Sequence, residues 1–262
     1  MSAAPRTPMP AGRRDPSPDE CAVMARDGYL VVPGFFGADE TADLLRWTEE
    51  LEAAPEQPGR HWVYHEGSLT EPGHRVIQRI ENFCPFHPGF DLVIRDGALS
   101  SRWVARLMGG RVALFKEKIN FKMPGAPGFK AHQDQQAGWT RYAPLFITAL
   151  VTIDPATLEN GCLEMVPGRH RDGLIGEEWN PLDEAGLGLQ PVPTEPGDVV
   201  FFDSFTPHAS KPNFTAKPRR ILYLTYNLLS DGDHRARYYA DKHAAFPPDV
   251  ERDGSTDYVF RV

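Results

Sequence analysis

The residues best suited to chemistry in this chain are a histidine and an aspartate separated by one position. His132 and Asp134 lie in the segment FKAHQD at 129–134. On an extended strand, residues i and i+2 point to the same face, so an imidazole and a carboxylate would project side by side. These are two of the three ligands of the facial triad that suits non-haem Fe(II). Alone, such a pair is also typical of a polar loop.

A second stretch supplies the missing ligand. The segment FFDSFTPHAS at 201–210 carries His208 after a predicted strand, and Arg219 follows eleven residues later. Iron(II) requires neutral imidazoles and an ionised carboxylate on one face. The sequence therefore predicts a metal site formed by His132, Asp134 and His208. The planar guanidinium of Arg219 suits bidentate capture of a carboxylate.

Composition limits the class of protein. The chain has 262 residues, enough for one large domain, and its 25 Pro and 23 Gly favour a β-rich fold with many turns. A net charge of −8 argues against a nucleic-acid binder. No run is long and apolar enough to cross a membrane, and three scattered cysteines favour a reducing cytoplasm. Oligomeric state has no signal in the sequence.

The order of predicted elements indicates the architecture. Residues 1–16 read as a disordered tail, and 17–262 as a single domain. Predicted helices lead and many short strands follow, which fits an antiparallel double-sheet barrel flanked by helices. The sequence predicts helices from Ser17 to Gly28, over 38–54, over 92–108 and within 231–248, and a loop over 55–73. It predicts strands over 29–32, 75–83, 111–122, 145–153, 162–167, 199–203 and 219–229, and a lid-like insertion over 171–194.

Strand alternation assigns faces to the charged residues. Over 111–122 the even positions include Lys116, Lys118, Asn120 and Lys122, a polar face that is either solvated or lines a barrel interior. We favour the interior because the strand ends just before His132. In the last strand Arg219 and Arg220 must point to opposite faces, and the Arg219 face is the more polar.

Six motifs together resemble one family. They cover roughly residues 75–230 and are LFKEKIN at 114–120, HQD at 132–134, ENGCLEMVPGRH at 159–170, PGDVVFFD at 196–203, HAS at 208–210 and PRRILYLTYN at 218–227. With these motifs the chain resembles the phytanoyl-CoA dioxygenase family of Fe(II)/2-oxoglutarate-dependent oxygenases. The resemblance implies a mainly β fold with flanking helices: a double-stranded β-helix, also called a jelly-roll or cupin-like barrel.

The resemblance also implies roles for individual residues. It implies His132, Asp134 and His208 as iron ligands, and Arg219, helped by Ser210, as the clamp for the far carboxylate of 2-oxoglutarate. It suggests four further residues near the cosubstrate: Lys118, Asn120, Phe129 and Thr148. The implied reaction uses Fe(II), 2-oxoglutarate and O2 and releases succinate and CO2. Related halogenases carry a small residue in place of Asp134, so halogenation is disfavoured.

The substrate is less sharply indicated. Polar or aromatic groups near the motifs are candidate substrate contacts, and they are Arg79, Asn82, Gln135, Gln136 and Trp139. If several face the barrel, the substrate is a small polar or anionic molecule. The stretch from 79 to 248 is similar to a bacterial branch that includes aminoalkylphosphonate hydroxylases, and a secondary-metabolite substrate stays open.

Two other classes of function remain as alternatives. A non-redox metal enzyme of the cupin type, an isomerase or hydrolase, would keep the three ligands but would have no use for Arg219 and Ser210. A non-catalytic binding protein on the same barrel would not need an intact triad.

Overall fold

The computed structural model describes residues 14–95 and 98–258, without the side chains of residues 95, 98 and 101. The predicted tail therefore lies, up to residue 13, outside the described residues. The helices are α1 Pro18–Asp27, α2 Ala38–Ala53, α3 Pro88–Arg95, a π-helical segment Ala98–Val104, α4 Ala105–Met108 and α5 Arg235–Ala245. The strands are β1 Tyr29–Val32, β2 Trp62–Gly67, β3 Arg75–Glu81, β4 Val112–Lys122, β5 Phe129–His132, β6 Ile147–Thr152, β7 Leu163–Met165, β8 Gln190–Val192, β9 Val199–Asp203, β10 His208–Ser210 and β11 Arg219–Leu228.

Two antiparallel sheets form the barrel. The larger has seven strands in the order β1-β9-β6-β11-β4-β3-β2, and the smaller has four in the order β5-β10-β7-β8. Several neighbouring strands, such as β5 and β10, are distant in sequence, so crossovers bring the 129–134 and 201–210 segments together. The predicted jelly-roll is confirmed.

Packing explains why the long strands alternate. On the outer face of the large sheet, Ile119 of β4 and Leu222 of β11 join the main core against the helices. Between the sheets, Leu150 and Tyr223 pack with Leu163 and Met165 of the small sheet. Inward positions near the site are polar instead, and they include the lysines of β4. Strands buried on both faces are thus divided into an apolar outer side and a partly polar inner side.

Local signals set the first helix as predicted. Ser17 caps α1 by accepting from the Glu20 backbone N–H at 3.2 Å, and the Glu20 carboxylate accepts from the Ser17 N–H at 2.7 Å. Gly28 closes the helix at φ 79°, a conformation that a side chain would disfavour. Its missing Cβ also leaves room for His170 and Thr206.

One predicted element was wrong. The expected loop over 55–73 contains β2, Trp62–Gly67, which pairs with β3. The helix expected over 92–108 is helical in its described residues, as the end of α3, a π-helical segment and the short α4. Among the described residues, no helix is both long and apolar enough to span a bilayer.

Candidate active site

The three predicted metal ligands meet at one end of the small sheet. His132 ends β5 and His208 begins the antiparallel neighbour β10, where the two residues are directly paired. Their ring centroids are 4.4 Å apart. Asp134 lies just past the strand, at the start of a 3-10 helix, and the extended backbone of Gln133 keeps it on the side of His132. Donor atoms from all three residues lie within 4.8 Å of one another.

Hydrogen bonds orient both imidazoles. His132 Nδ1 lies 2.8 Å from the Lys130 carbonyl oxygen, and His208 Nδ1 lies 2.9 Å from that of Thr206. A carbonyl only accepts, so each Nδ1 carries the proton and each Nε2 keeps a free lone pair. Burial, with the neighbouring His208, lowers the pKa of His132 to about 3, and burial also lowers the pKa of His208. Both rings are therefore neutral at physiological pH, as metal ligands must be.

The carboxylate is ionised for a different reason. Burial alone would raise the pKa of Asp134, but the nearby imidazoles and the charges of Lys116 and Lys118 outweigh it and lower that pKa. Thr148 donates to Asp134 Oδ2 at 3.4 Å and shares a 2.9 Å hydrogen bond with Thr225. Thr148 thus lies against the triad as a wall residue that orients the carboxylate. Two neutral imidazoles and one carboxylate fit Fe(II).

A buried arginine stands in the barrel wall near the small sheet. Arg219 is 1% exposed, and its Nε and Nη1 have no hydrogen-bond partner among the residues that the structure describes. It contacts Tyr223, the residue two positions further along the same face of β11. An unpaired buried guanidinium is costly unless an anion joins it. These orphaned donors fit the far carboxylate of 2-oxoglutarate.

Arg220 points the other way, as alternation predicts. Its Nε donates to Asp154 at 2.7 Å, and its Nη1 to Glu52 at 3.2 Å. The arginine pair is therefore divided: Arg219 faces inward, with Nε and Nη1 lacking an acceptor among the described residues, and Arg220 faces outward in ion pairs.

Lys122 was missed as a site residue by sequence reasoning. It is 1% exposed, and its Nζ donates to Ser210 Oγ at 2.7 Å, to the Gly161 carbonyl at 3.1 Å and to the Lys211 carbonyl. The signal was present, because Lys122 shares the inward alternation of β4 with Lys118 and Asn120. Its bond to Ser210 leaves the serine proton free to be donated elsewhere.

The other predicted cosubstrate residues lie around the same space. The Lys118 ammonium lies 4.8 Å from the centroid of the Tyr223 ring. Asn120 Oδ1 is buried without a partner in the described part of the chain. Phe129 lines the cavity described next, and its ring centroid is 6.0 Å from Lys122 Nζ.

A cavity of about 560 Å³ opens beside the triad. Its walls come from β3 and β4, from the segment after β5, from the 171–194 insertion and from α5 with the following tail. The residues that line it include Arg79, Glu81, Lys116, Lys118, Trp139, Trp179, Tyr238 and Lys242, together with the ligands His132 and Asp134. The cavity's size suits a small molecule.

An ion-pair network crosses one wall. Glu81, 1% exposed, accepts from Arg79 Nε at 2.6 Å and from Lys242 Nζ at 2.5 Å. Burial opposes ionisation of Glu81, but Lys242 and Arg79 outweigh it and hold its pKa well below the usual range. The network ties α5 to β3 and engages the Nε of Arg79, a predicted substrate residue, within the protein.

Three predicted substrate residues lie outside the cavity. Asn82 accepts from Arg235 at 3.0 Å on the outer side of β4. Gln135 is fully buried and donates to the Ala143 carbonyl at 3.4 Å. Gln136 donates to the Glu177 and Asn180 carbonyls at 2.7 and 2.6 Å. Both glutamines are engaged with backbone, and these three residues do not line the cavity, whereas Trp139 does.

Several cavity residues carried no site prediction, and among them are Lys116, Trp179, Tyr238 and Lys242. Lys116 had the same strand signal as Lys118. The other three come from an irregular insertion and from α5, whose charged and aromatic composition gives no indication of the barrel mouth that it covers.

Comparisons with known proteins agree with this site. The profile of the phytanoyl-CoA dioxygenase (PhyH) family matches residues 24–221. A methylphosphonate hydroxylase of Gimesia maris is 41% identical over 223 residues, which are 84% of this chain and 84% of the relative. A 2-aminoethylphosphonate dioxygenase of an uncultured bacterium is 38% identical over 236 residues, 88% of this chain and 89% of the relative.

A solved structure extends the likeness to the cofactors. EctD from S. alaskensis, crystallised with 2-oxoglutarate and 5-hydroxyectoine, matches with a TM-score of 0.69 and 29% identity over 82% of this chain and 77% of that chain. The same protein has been solved with bound Fe. Fold and site together define an Fe(II)- and 2-oxoglutarate-dependent dioxygenase. The chain belongs to the phytanoyl-CoA dioxygenase family. The predicted class is confirmed over the cupin-type hydrolase and the non-catalytic binding protein.

Proposed function

We propose that this enzyme hydroxylates a small phosphonate at a carbon–hydrogen bond. In the proposed site, His132, Asp134 and His208 hold Fe(II), and Arg219 with Ser210 holds the far carboxylate of 2-oxoglutarate. When bound, the metal and cosubstrate supply the oxidising power, as 2-oxoglutarate and O2 become succinate and CO2 while the substrate gains a hydroxyl. The proposed catalytic unit is the single domain over 17–262.

One observation carries the choice of substrate class. Lys116 and Lys118 both line the cavity beside Asp134, and neither makes a hydrogen bond or an ion pair with any described residue. Burial lowers the pKa of each ammonium, so an anion in the cavity would be strongly favoured as a partner. A phosphonate offers three oxygens and up to two negative charges, so it would supply the acceptors that a cavity ammonium lacks in the protein.

The two relatives named above support the proposal. One is named for methylphosphonate and the other for 2-aminoethylphosphonate, and each aligns with more than four-fifths of the chain. They share the phosphonate group and differ at the other end of the substrate.

The direct test is turnover with matched anions. Anaerobically Fe(II)-loaded enzyme would receive 2-oxoglutarate, O2 and one compound from two series: methylphosphonate, methanesulfonate and acetate, or 2-aminoethylphosphonate, taurine and β-alanine. Succinate reports cosubstrate use, and phosphorus NMR reports the hydroxylated product. We expect product with a phosphonate and little with its sulfonate or carboxylate match. Turnover confined to sulfonates or carboxylates would contradict the proposal.

A further inference from the structure

The cations around the cavity differ in what they already bind. Arg79 and Lys242 both donate to Glu81. Arg141 is exposed at the rim and donates its Nε to the Gly138 carbonyl at 2.9 Å. These groups are therefore engaged or solvated, which leaves the buried Lys116 and the partly buried Lys118 as the ammonium groups of the described cavity wall without an acceptor.

The two lysines face different halves of the site. The ring next to Lys118 is Tyr223, at 4.8 Å, and Tyr223 contacts Arg219. Lys118 therefore belongs to the half in which the cosubstrate is proposed to bind. Lys116 lies two residues earlier on the same face of β4, opposite Thr225, which brings it further along the barrel from Arg219.

Aromatic faces hold the Lys116 ammonium. Its Nζ lies 4.1 Å from the Trp139 ring centroid and 5.7 Å from that of Tyr238. An aromatic ring face attracts a cation, but it has no lone pair that could accept a conventional hydrogen bond from an N–H group. The three N–H donors of the ammonium are thus positioned without being satisfied. Lys116 is 7% exposed and lines the cavity, so an anion bound in the cavity can reach its ammonium.

We propose that Lys116, positioned by Trp139 and Tyr238, is the residue that selects the anionic head of the substrate. The inference rests on the proposed function and assigns its phosphonate to one side chain. It also combines two parts of the chain. Trp139 lies within the family match over 24–221, whereas Tyr238 belongs to α5 beyond it. The subsite therefore combines residues inside the matched range with one beyond it.

Binding measurements test the assignment without depending on turnover. Lys116→Met, Lys116→Arg, Lys118→Met and the exposed-lysine control Lys217→Met would be loaded anaerobically with Fe(II) and 2-oxoglutarate and titrated with methylphosphonate and acetate. Losing charge-assisted hydrogen bonds costs on the order of 10- to 100-fold in affinity. We expect Lys116→Met to lose methylphosphonate binding by that factor while its 2-oxoglutarate affinity stays close to wild type. Lys118→Met should instead weaken 2-oxoglutarate.

Positioning by the rings has its own readout. Trp139→Phe keeps an aromatic face, whereas Trp139→Leu removes it. We expect the KM for phosphonate to rise in Trp139→Leu and to be largely restored in Trp139→Phe, with kcat less affected than KM. If Lys116→Met does not fold, these variants still test whether the Trp139 ring positions Lys116.

The outcomes separate the two proposals. If wild type binds methylphosphonate and Lys116→Met does not, the subsite is supported. If in addition no phosphonate is hydroxylated, only the proposed function fails. Equal phosphonate affinity in wild type and Lys116→Met overturns the subsite, and turnover by wild type would then leave the proposed function standing. Absence of phosphonate binding by wild type overturns both.

Discussion

Arg219 on β11 is the direct cross-strand partner of Lys122 on β4. Each is 1% exposed, and like charges placed opposite one another are destabilising. Lys122 is stabilised by three oxygen acceptors, but the Nε and Nη1 of Arg219 have no partner in the described structure. An anion that binds between the two sheets would offset the repulsion between these two cations.

Replacing Arg219 should weaken 2-oxoglutarate far more than replacing its neighbour. Arg219→Ala leaves a carboxylate without its partner in a dry pocket, at a cost of about 3–5 kcal/mol. That corresponds to roughly two to three decades in the apparent 2-oxoglutarate constant. Arg220→Ala should mainly lower stability, because it removes the bonds to Asp154 and Glu52.

Cosubstrate titrations followed by succinate release, together with urea unfolding of both variants, measure the two effects. The reverse ranking, with Arg220→Ala weakening 2-oxoglutarate more, would contradict the assignment of Arg219.

Lys122 predicts a pH dependence of stability. Burial, with the charge of Arg219, lowers the pKa of Lys122 to about 6. Between that value and the unfolded pKa near 10.4, the unfolded chain binds more protons at this site than the native chain. The contribution of Lys122 to the free energy of unfolding therefore rises with pH across that window and does not change with pH below it.

Metal-free wild type and Lys122→Met would be unfolded with urea at several pH values between about 6.5 and 9. The difference between wild type and variant should increase with pH, since only wild type carries this ionisation. Parallel stability curves would show that Lys122 keeps its ordinary pKa in the folded protein.

Sequence alone located much of this site because alternation is a local property. The polar face of β4 and the opposite faces of Arg219 and Arg220 follow from period two, and the structure has both. A jelly-roll then brings His132 and His208 into register as direct partners on β5 and β10.

Other features depend on tertiary contacts that the sequence does not display. β2 reads WVYHEG, which lacks alternation, and its stability as a strand comes from pairing with β3. The sequence predicts Gln136 as a substrate contact, but its side chain donates to two carbonyls of the 171–194 insertion. The conformation of that insertion depends on such tertiary contacts and does not follow from its local sequence. The contribution of α5 to the cavity depends on the buried pair of Glu81 and Lys242.

Iron binding should depend on His208 as strongly as on the HQD segment. Losing an outer partner of a metal ligand costs about 10- to 100-fold in metal affinity, so losing the ligand itself should cost more. Fe(II) bound at equimolar metal under anaerobic conditions would be measured for His208→Ala. The matched control is His74→Ala, which removes an exposed histidine and should leave binding intact. Full occupancy in His208→Ala would remove it from the ligand set.

The insertion over 171–194 should act as a cover that glutamines hold in place. Gln133 donates to the Gly173 carbonyl at 2.7 Å, and Gln136 donates to those of Glu177 and Asn180. Gln136→Met should speed amide hydrogen exchange over 177–182 and raise the substrate KM, because Trp179 lines the cavity. In wild type, substrate should slow exchange in the same segment.

Asn180→Ala is the control, since the Asn180 side chain makes only a local bond to Glu177 at 2.8 Å. Exchange that is equally slow in wild type with and without ligand, and unchanged in Gln136→Met, would contradict the role as a cover.

Replacing Glu81 should make the thermal stability of the protein depend more strongly on anions. Glu81→Gln leaves Arg79 and Lys242 buried without their shared carboxylate, a change that costs about 3–5 kcal/mol. At roughly 2–4 °C per kcal/mol for a domain of this size, Tm should fall by about 10 °C. The cavity wall would then carry one more net positive charge, so phosphate or methylphosphonate should raise Tm more in the variant than in wild type.

Thermal unfolding in chloride, phosphate and methylphosphonate at constant ionic strength measures both effects. Glu66→Gln is the control, because Glu66 accepts from Gln78 at 2.7 Å and its removal strands no buried cation. A variant that loses Tm but gains nothing extra from anions would mean that Arg79 and Lys242 turn away from the cavity once Glu81 is gone. Selective rescue by anions would instead show that Glu81 sets the charge that the cavity offers to its substrate.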